Sequence, residues 1–286
     1  MDTSDEWIRE RTGIVERRVG GTTASLSIES GRRAIESAGI DPASIDALIL
    51  STTTPDRTVP ATSATVQHAL GLRCGAFDVN AACSGFVYGL AVANGLIAIG
   101  ANRVLLIGTD TLSRIVDWTD RNTAILFADG SGAAVIEASP GPGSLLGWDV
   151  DADGSAEDLL FCEIGGHIHM DGKEVFRRAV RIMVDSAEKS LSAAGVSVED
   201  VALVVPHQAN IRIISAACER LGVPMERTAL ALAETGNTSS ASIPLAWFAA
   251  ADDGRLAPGD LVLLVGFGAG MTAASAVVRW TGSARP

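Results

Sequence analysis

Cysteine, lysine and tyrosine are scarce in this chain of 286 residues, and the scarcity of cysteine is the one that excludes a class of structure. The four cysteines, Cys74, Cys83, Cys162 and Cys218, form no CxxC pair and have no histidine at zinc-finger spacing. A disulfide scaffold and a structural zinc site are therefore not expected. Bases are outnumbered, 22 Lys and Arg against 34 Asp and Glu, for a net charge of -12. A field of that sign repels polyanions and argues against a nucleic-acid or anionic-membrane binder. The opening MDTSDEWIRERTG has no apolar stretch of the kind that directs secretion, which predicts a cytoplasmic protein. One uncharged run, Ser84 to Ala101, reaches the lower length limit of a spanning helix and calls for a reading. Its four glycines, its central Asn94 and its missing basic flanks suit a buried helix better than a membrane span.

What is abundant is aliphatic: 47% of residues are hydrophobic but only 5% are aromatic. That is enough to fill one large core or two smaller ones. The chain also repeats itself. SIESGRRAIESAGIDPASIDALILSTT, from Ser27, reads as helix, Gly39 stop, short turn and apolar strand. MVDSAEKSLSAAGVSVEDVALVVPHQA, from Met183, repeats that order with Gly195 as the stop. RVLLIGTD followed by SGAAVIE is echoed in turn by DLVLLVGFG followed by ASAVVRW. Short, nearly all-apolar strands imply sheets covered by helices on both faces. The expectation is a duplicated α/β protein, residues 1–145 and 146–286, joined through the Gly/Pro/Asp-rich stretch from Ser139 to Gly154 and meeting at a cleft.

Candidate chemistry lies at strand ends. Cys83 follows the strand-like GAFDVN and opens the uncharged helix, so the partial positive charge of a helix N-terminus should lower its pKa. The other three cysteines read as inert hydrophobes. His207 follows the buried-type strand VALVV and the stiff Pro206. Asn237, in GNTSSASIPLA, reads either as a site residue or as an Asx turn or helix cap. GFGAGM, 266 to 271, brings backbone close to a ligand and can point N–H groups at it, yet matches no nucleotide fingerprint. Cys, His and Asn together also fit a papain-like hydrolase, and spacing alone leaves both readings open.

DTSDEWIRERTGI, AACSGF, FADGSGA, VFRRAV, VPHQANIRII, GNTSSASIPLA and GFGAGM together make the chain resemble the β-ketoacyl-acyl-carrier-protein synthase III family, condensing enzymes of thiolase-like fold. The resemblance implies two halves stacked in five layers, αβαβα, and a cytoplasmic homodimer that needs no cofactor or metal. It implies decarboxylative Claisen condensation of an acyl-CoA primer with malonyl-acyl-carrier protein, giving 3-oxoacyl-acyl-carrier protein through an acyl-Cys83 intermediate. His207 and Asn237 would complete the catalytic set, and the backbone N–H groups of Cys83 and Ala269 the oxyanion hole. Trp7, Arg11, Arg121, Gly172 and Asn210 would bind coenzyme A. Val59, reaching a partner's pocket, and Phe176 would line the acyl site. Arg177, Arg178, Arg181, Arg212 and Arg220, on two helices, would form a basic landing site for the acidic carrier protein. A starter-unit ketosynthase or acyltransferase of secondary metabolism, a thiol acyl hydrolase and a non-catalytic partner subunit are the alternatives.

Two departures from the family pattern carry expectations of their own. Relatives have a strand and loop ahead of DTSDEW that this sequence does not show; the resemblance implies that this strand is central in its sheet, so two neighbours should be left with unpaired backbone. The segment between Leu160 and Met170 is short, which should alter the pocket lid and part of the dimer contact.

Overall fold

The computed structural model describes residues 1–282. Its first half runs α1 (Asp5–Thr12), α2 (Thr23–Ala38), β1 (Ala47–Ser51), α3 (Thr62–Ala69), β2 (Gly75–Val79), α4 (Gly85–Ala98), β3 (Arg103–Thr111), α5 (Arg121–Ala124) and β4 (Asp129–Glu137). The second runs β5 (Leu145–Ala152), β6 (Leu160–Cys162), β7 (Ile168–Met170), α6 (Gly172–Ala194), β8 (Val201–Pro206), α7 (Ile211–Leu221), α8 (Leu232–Thr235), α9 (Ser242–Asp252), β9 (Leu261–Gly268) and β10 (Thr272–Arg279).

The repeat seen in the sequence is a repeat in space. The Thr22 hydroxyl accepts from Ser25 N–H and starts α2; Asp171 does the same for α6 through Glu174 N–H. Gly39 and Gly195 end these helices at φ 64° and 68°, left-handed positions that glycine occupies without a Cβ penalty. Each helix then turns into a strand, β1 or β8. Strands β3 and β4 pair antiparallel, as do β9 and β10.

Two four-stranded sheets result, ordered β2-β1-β3-β4 and β5-β10-β9-β8, and a small hairpin of β6 and β7. Three apolar clusters show how the layers stack. Leu48, Leu50, Leu105 and Ile107 pack with Ile35 of α2 on the outer face of the first sheet. Val204, Leu263 and Val277 pack with Met183 of α6 and Ile214 of α7 on the outer face of the second. Between the sheets, Phe86, Leu90 and Ala93 of α4 meet Ile243 and Ala246 of α9, with Ile49, Leu106, Leu203 and Leu264 from both sheets. Five layers, αβαβα, follow. Strands buried on both faces explain the missing polar/apolar alternation. The uncharged run predicted as a buried helix is α4, in the middle layer. Among the described residues no helix is long and apolar enough to cross a membrane.

Two expectations need correction. No central gap exists in the first sheet: β1 pairs in parallel with both β2 and β3, Leu48 lying opposite Ala76 on one side and Leu105 on the other. In the second sheet β5 pairs with β10 at the edge, so the corresponding position in the first sheet lies beyond β4, also at an edge. The stretch read as a connection, Ser139 to Gly154, contains β5, whose residues pair from Leu145↔Val278 to Ala152↔Thr272. Only 139–144 crosses between the sheets. Composition misled here because Gly and Pro before β5 and Asp and Gly after it hide an edge strand of eight residues.

Candidate active site

Strand β2 ends at Val79, and the chain turns sharply at Ala82, whose φ of 47° is unusual for a residue with a Cβ. Cys83 sits in that one-turn 3-10 segment, two residues before α4 begins. Strained backbone of this kind marks positions that the surroundings hold in place. The holding element is the end of β9: a Cβ on Gly268 would stand 2.6 Å from Cys83 N and 2.9 Å from Ala82 Cβ. Glycine there lets the 266–271 turn press against the backbone of the nucleophile candidate.

His207 follows β8 and is 1% exposed, with its backbone N–H given to Val265 O at 2.8 Å. Its ring meets Phe267 edge-on at 5.5 Å, and Nδ1 lies 2.6 Å from Ser242 Oγ. His207 and Cys83 flank one glycine: a Cβ on Gly266 would be 3.6 Å from both Cys83 O and His207 Cβ. Asn237, 5% exposed, is tied to the first half by Asn237 N–H to Leu126 O and Ala128 N–H to Asn237 O, each 2.9 Å. Ser239 N–H donates to its Oδ1 at 2.9 Å. Because a backbone N–H only donates, the carboxamide oxygen is fixed on that side and the NH₂ end is turned away from it. The cap reading of Asn237 was thus half right: it caps its own turn with the oxygen and keeps two donors for other work.

Segment 237–242 unites the three residues. Asn237 is its first residue, Ser239 is the side chain that lowers the Cys83 thiol against the effect of burial, and Ser242 holds the imidazole. Ser239 has φ 50°, the second positive-φ residue with a Cβ in this chain's described part. What locks the segment is Asp110, fully buried at the end of β3. Its Oδ1 accepts from Thr53 N–H (2.7 Å) and from the hydroxyls of Thr52, Thr53 and Thr54 (3.1, 2.8 and 3.1 Å). Its Oδ2 accepts from Ser240 N–H at 3.1 Å and Ser240 Oγ at 2.8 Å. Six donors to a buried carboxylate satisfy it without a cation and bind the loop after β1 to the loop that carries Asn237. Sequence reasoning missed Asp110, Ser239, Ser240 and Ser242. The usable signal was a lone acid ending the apolar run RVLLIGTD.

The electrostatics correct the sequence reading of Cys83. Burial pushes its thiol up to about 12, and the Ser239 hydroxyl offsets only part of this. Desolvation outweighs the helix N-terminus, so the sulfur is a thiol at neutral pH. Alkylation of Cys83 by iodoacetamide should accelerate about tenfold per pH unit between about pH 7 and 10, without a plateau; peptide mass mapping of each cysteine would read it. A plateau near pH 7 would restore the low-pKa reading. Burial also lowers His207 to about 3, which keeps the ring neutral.

The nucleotide-end candidates are also assembled, although Trp7 and Arg121 are 114 residues apart in sequence. The Arg121 and Arg11 guanidinium carbons lie 4.9 and 5.4 Å from the Trp7 ring centroid, and Arg121 donates to Asp2 O at 2.8 Å. Asn210 starts α7 through Arg212 N–H (2.8 Å) and donates to Arg11 O (3.3 Å). Gly172 is the first residue of α6. The Arg212 guanidinium carbon stands 5.7 Å from the Phe176 ring centroid, beside the start of α6. Arg220 stands apart from Arg212, and Arg177 and Arg178 are engaged by an acid. Arg177 and Arg178 both clamp Glu174, at 2.6 and 2.8 Å, and hold its carboxyl down to about 2. Arg220 lies eight residues beyond Arg212 on α7, about 12 Å along the helix, in a groove with Glu188 and Leu191 from the far end of α6. Val59, in the loop before α3, is 81% exposed. Among the described residues no three His, Cys, Asp or Glu side chains are placed to hold a metal ion.

Duplicated halves in five layers, with a buried cysteine, a neutral histidine and an asparagine gathered where the halves meet, define a thiolase-like condensing enzyme. The sequence comparisons agree. Residues 77–154 match 3-oxoacyl-[acyl-carrier-protein (ACP)] synthase III, and residues 191–280 match the C-terminal part of the same family. A β-ketoacyl-[acyl-carrier-protein] synthase III of Roseiflexus sp. (strain RS-1) is 49% identical over 98% of this chain and 92% of its own length. The crystal structure of 3-oxoacyl-[acyl-carrier-protein] synthase III from Aquifex aeolicus VF5 superposes with a TM-score of 0.95 at 43% identity, covering 98% of this chain and 92% of that one. The priming β-ketosynthase of the R1128 polyketide biosynthetic pathway gives 0.92 at 37% identity, over 98% and 89%. The chain belongs to the β-ketoacyl-acyl-carrier-protein synthase III family and is a condensing enzyme of the acyltransferase type.

Proposed function

We propose that this protein joins an acyl-CoA primer to malonyl-acyl-carrier protein with loss of carbon dioxide, and that Cys83 carries the acyl group between the two half-reactions. The observation that carries this reading is the 237–242 segment, which bears the carboxamide, holds the imidazole through Ser242 and packs against the 82–84 turn that bears the sulfur. In the first half-reaction the Cys83 sulfur attacks the thioester carbonyl. The oxyanion is held by the N–H groups of Cys83 and Ala269 until the C–S bond to coenzyme A breaks, and the thiol proton ends on the departing sulfur. In the second, the malonyl carboxylate leaves as carbon dioxide and its bonding electrons stay on the α-carbon. His207 Nε2–H and the Asn237 NH₂ donate to the enolate oxygen. The carbon then attacks acyl-Cys83, giving the 3-oxoacyl product and a thiolate that takes a proton from water. Every electron pair stays on carbon, oxygen or sulfur, so the sequence draws on no redox cofactor.

Trp7, Arg11 and Arg121 are the groups suited to the adenine and phosphates of coenzyme A, with Asn210 and Gly172 along its pantetheine arm. The exposed Val59 suits a homodimer in which it reaches the partner's acyl pocket beside Phe176, and we infer a cytoplasmic enzyme. Incubation with a short acyl-CoA and malonyl-acyl-carrier protein should yield carbon dioxide and 3-oxoacyl-carrier protein in equal amounts. Free acid without malonyl consumption would make it a thiol hydrolase. Similarity to the R1128 priming enzyme favours a second reading, a starter-unit synthase, which a panel of acyl-CoA donors separates.

Arg212, with Phe176, heads the basic surface at the start of α6 and α7, and Arg220 is its built-in control. Arg212→Glu should raise the KM for malonyl-acyl-carrier protein about tenfold while acyl-CoA loading is kept, and Arg220→Glu should change neither by more than about twofold. Steady-state and single-turnover assays read both. Equal damage from the two variants would reject the landing site at Arg212.

A further inference from the structure

We propose that Ser242 is a positioning residue that fixes the tautomer of His207: its hydroxyl donates to Nδ1, so the ring's single proton sits on Nε2 and the imidazole acts as a hydrogen-bond donor instead of a base. This deepens the condensation reading, in which Nε2–H faces the malonyl thioester oxygen.

Ser242 Oγ has two neighbours in hydrogen-bonding distance, Gln208 N–H at 3.3 Å and His207 Nδ1 at 2.6 Å. The backbone N–H can only donate, so it occupies a lone pair of the oxygen. The hydroxyl's one proton must find an acceptor, and among the described residues Nδ1 is the one in reach. A proton on Nδ1 instead would set two donors against the oxygen and strand the hydroxyl proton. Water cannot rescue that arrangement, since Ser242 is 0% and His207 1% exposed. A stranded buried donor biases the two tautomers by a factor on the order of 10.

The scaffold keeps this geometry from relaxing. Gln208 spends all its side-chain capacity on backbone: Nε2 donates to Pro206 O (2.6 Å) and Ala229 O (3.2 Å), and Oε1 accepts from Ala231 N–H (2.9 Å) and Leu232 N–H (3.1 Å). The peptide that follows His207 therefore cannot turn its N–H away. Ser242 is the first residue of α9, the buried middle-layer helix, and is equally immobile. In a triad hydrolase the ring nitrogen remote from the nucleophile donates to an acceptor, which leaves the reacting nitrogen bare as a base. Here the remote nitrogen faces a hydroxyl whose proton has nowhere else to go. One serine thus separates the two chemistries that Cys, His and Asn leave open.

The test uses the full chain labelled with [15N]histidine, which gives signals from four residues. In the wild type, His207 Nδ1 should appear as the unprotonated and Nε2 as the protonated nitrogen. Ser242→Ala should shift both toward a tautomer mixture, and Ser242→Thr should restore the wild-type pattern. Malonyl decarboxylation by acyl-loaded enzyme should fall about tenfold in Ser242→Ala and recover in Ser242→Thr, with Cys83 loading within about twofold throughout. A protonated Nδ1 in the wild type overturns the proposal, whatever the variants do. So does a Ser242→Ala spectrum identical to wild type, or a loss shared equally by both half-reactions. If the spectra behave as expected but no form consumes malonyl groups, the tautomer assignment stands and the condensation reading fails.

Discussion

His207→Ala is expected to slow the consumption of malonyl groups by about 10²–10³-fold while Cys83 is still acylated, because a lost donor to a developing oxyanion costs that much. Asn237→Ala should do the same, since its NH₂ end is the second donor and its oxygen is committed to Ser239 N–H. The double variant should cost less than the product of the two, as groups that hold one oxygen do not act independently. The pH dependence has a definite sign. Burial lowers His207 to about 3, so the imidazole stays neutral as pH falls through 6.5, the usual histidine value. Decarboxylation by wild-type enzyme should therefore be flat from about pH 8 to 5. A fall centred near 6.5, or equal loss of acyl loading in His207→Ala, would mean that the ring acts as a base.

The second large effect concerns a residue with no side chain. Gly268→Ala would place a Cβ 2.6 Å from Cys83 N, 2.8 Å from Thr272 Oγ1 and 2.9 Å from Ala82 Cβ. Cys83 N is backbone and cannot swing aside, so either the 82–84 turn or the 266–271 turn must shift by several tenths of an ångström. Both carry an N–H of the proposed oxyanion hole. Acylation of Cys83 should drop by about 10²-fold or more, with thermal stability also reduced. The readout is the single-turnover rate of acylation from acyl-CoA. Gly270→Ala, whose nearest neighbour would be the Thr272 methyl at 3.2 Å, meets strain from its φ of 124° but no clash with Cys83. Its loading loss should be smaller. Equal loss in the two would place the effect in the turn as a whole and not at Cys83 N.

The duplication was legible because helix stops and apolar strands are local signals: Gly39 and Gly195 end matching helices in both sequence and space. The middle layer was legible for the same reason, α4 being a run without charge. Strand order was not, since pairing is decided by which helices cover which face, and a central slot was inferred where the sheet has an edge. β5 escaped notice because its flanking Gly and Asp read as a connection. Cys83, His207 and Asn237 stood out as unusual residues at strand ends. The groups that orient them, Asp110, Ser239 and Ser242, are ordinary in composition and acquire their roles only through contacts across 130 residues of chain, as between Asp110 and Ser240. The sign of the Cys83 shift was misread because a helix N-terminus is visible in sequence and the depth of burial is not.

The central claim is that an acyl group rests on Cys83. Intact-mass analysis after incubation with a mixture of short acyl-CoAs tests it most directly, with Cys83→Ser as the control. One acyl adduct per chain, mapped to Cys83 and discharged when malonyl-acyl-carrier protein is added, is the result the account predicts. An adduct that persists in Cys83→Ser, or none on the wild-type chain while product still forms, would contradict it.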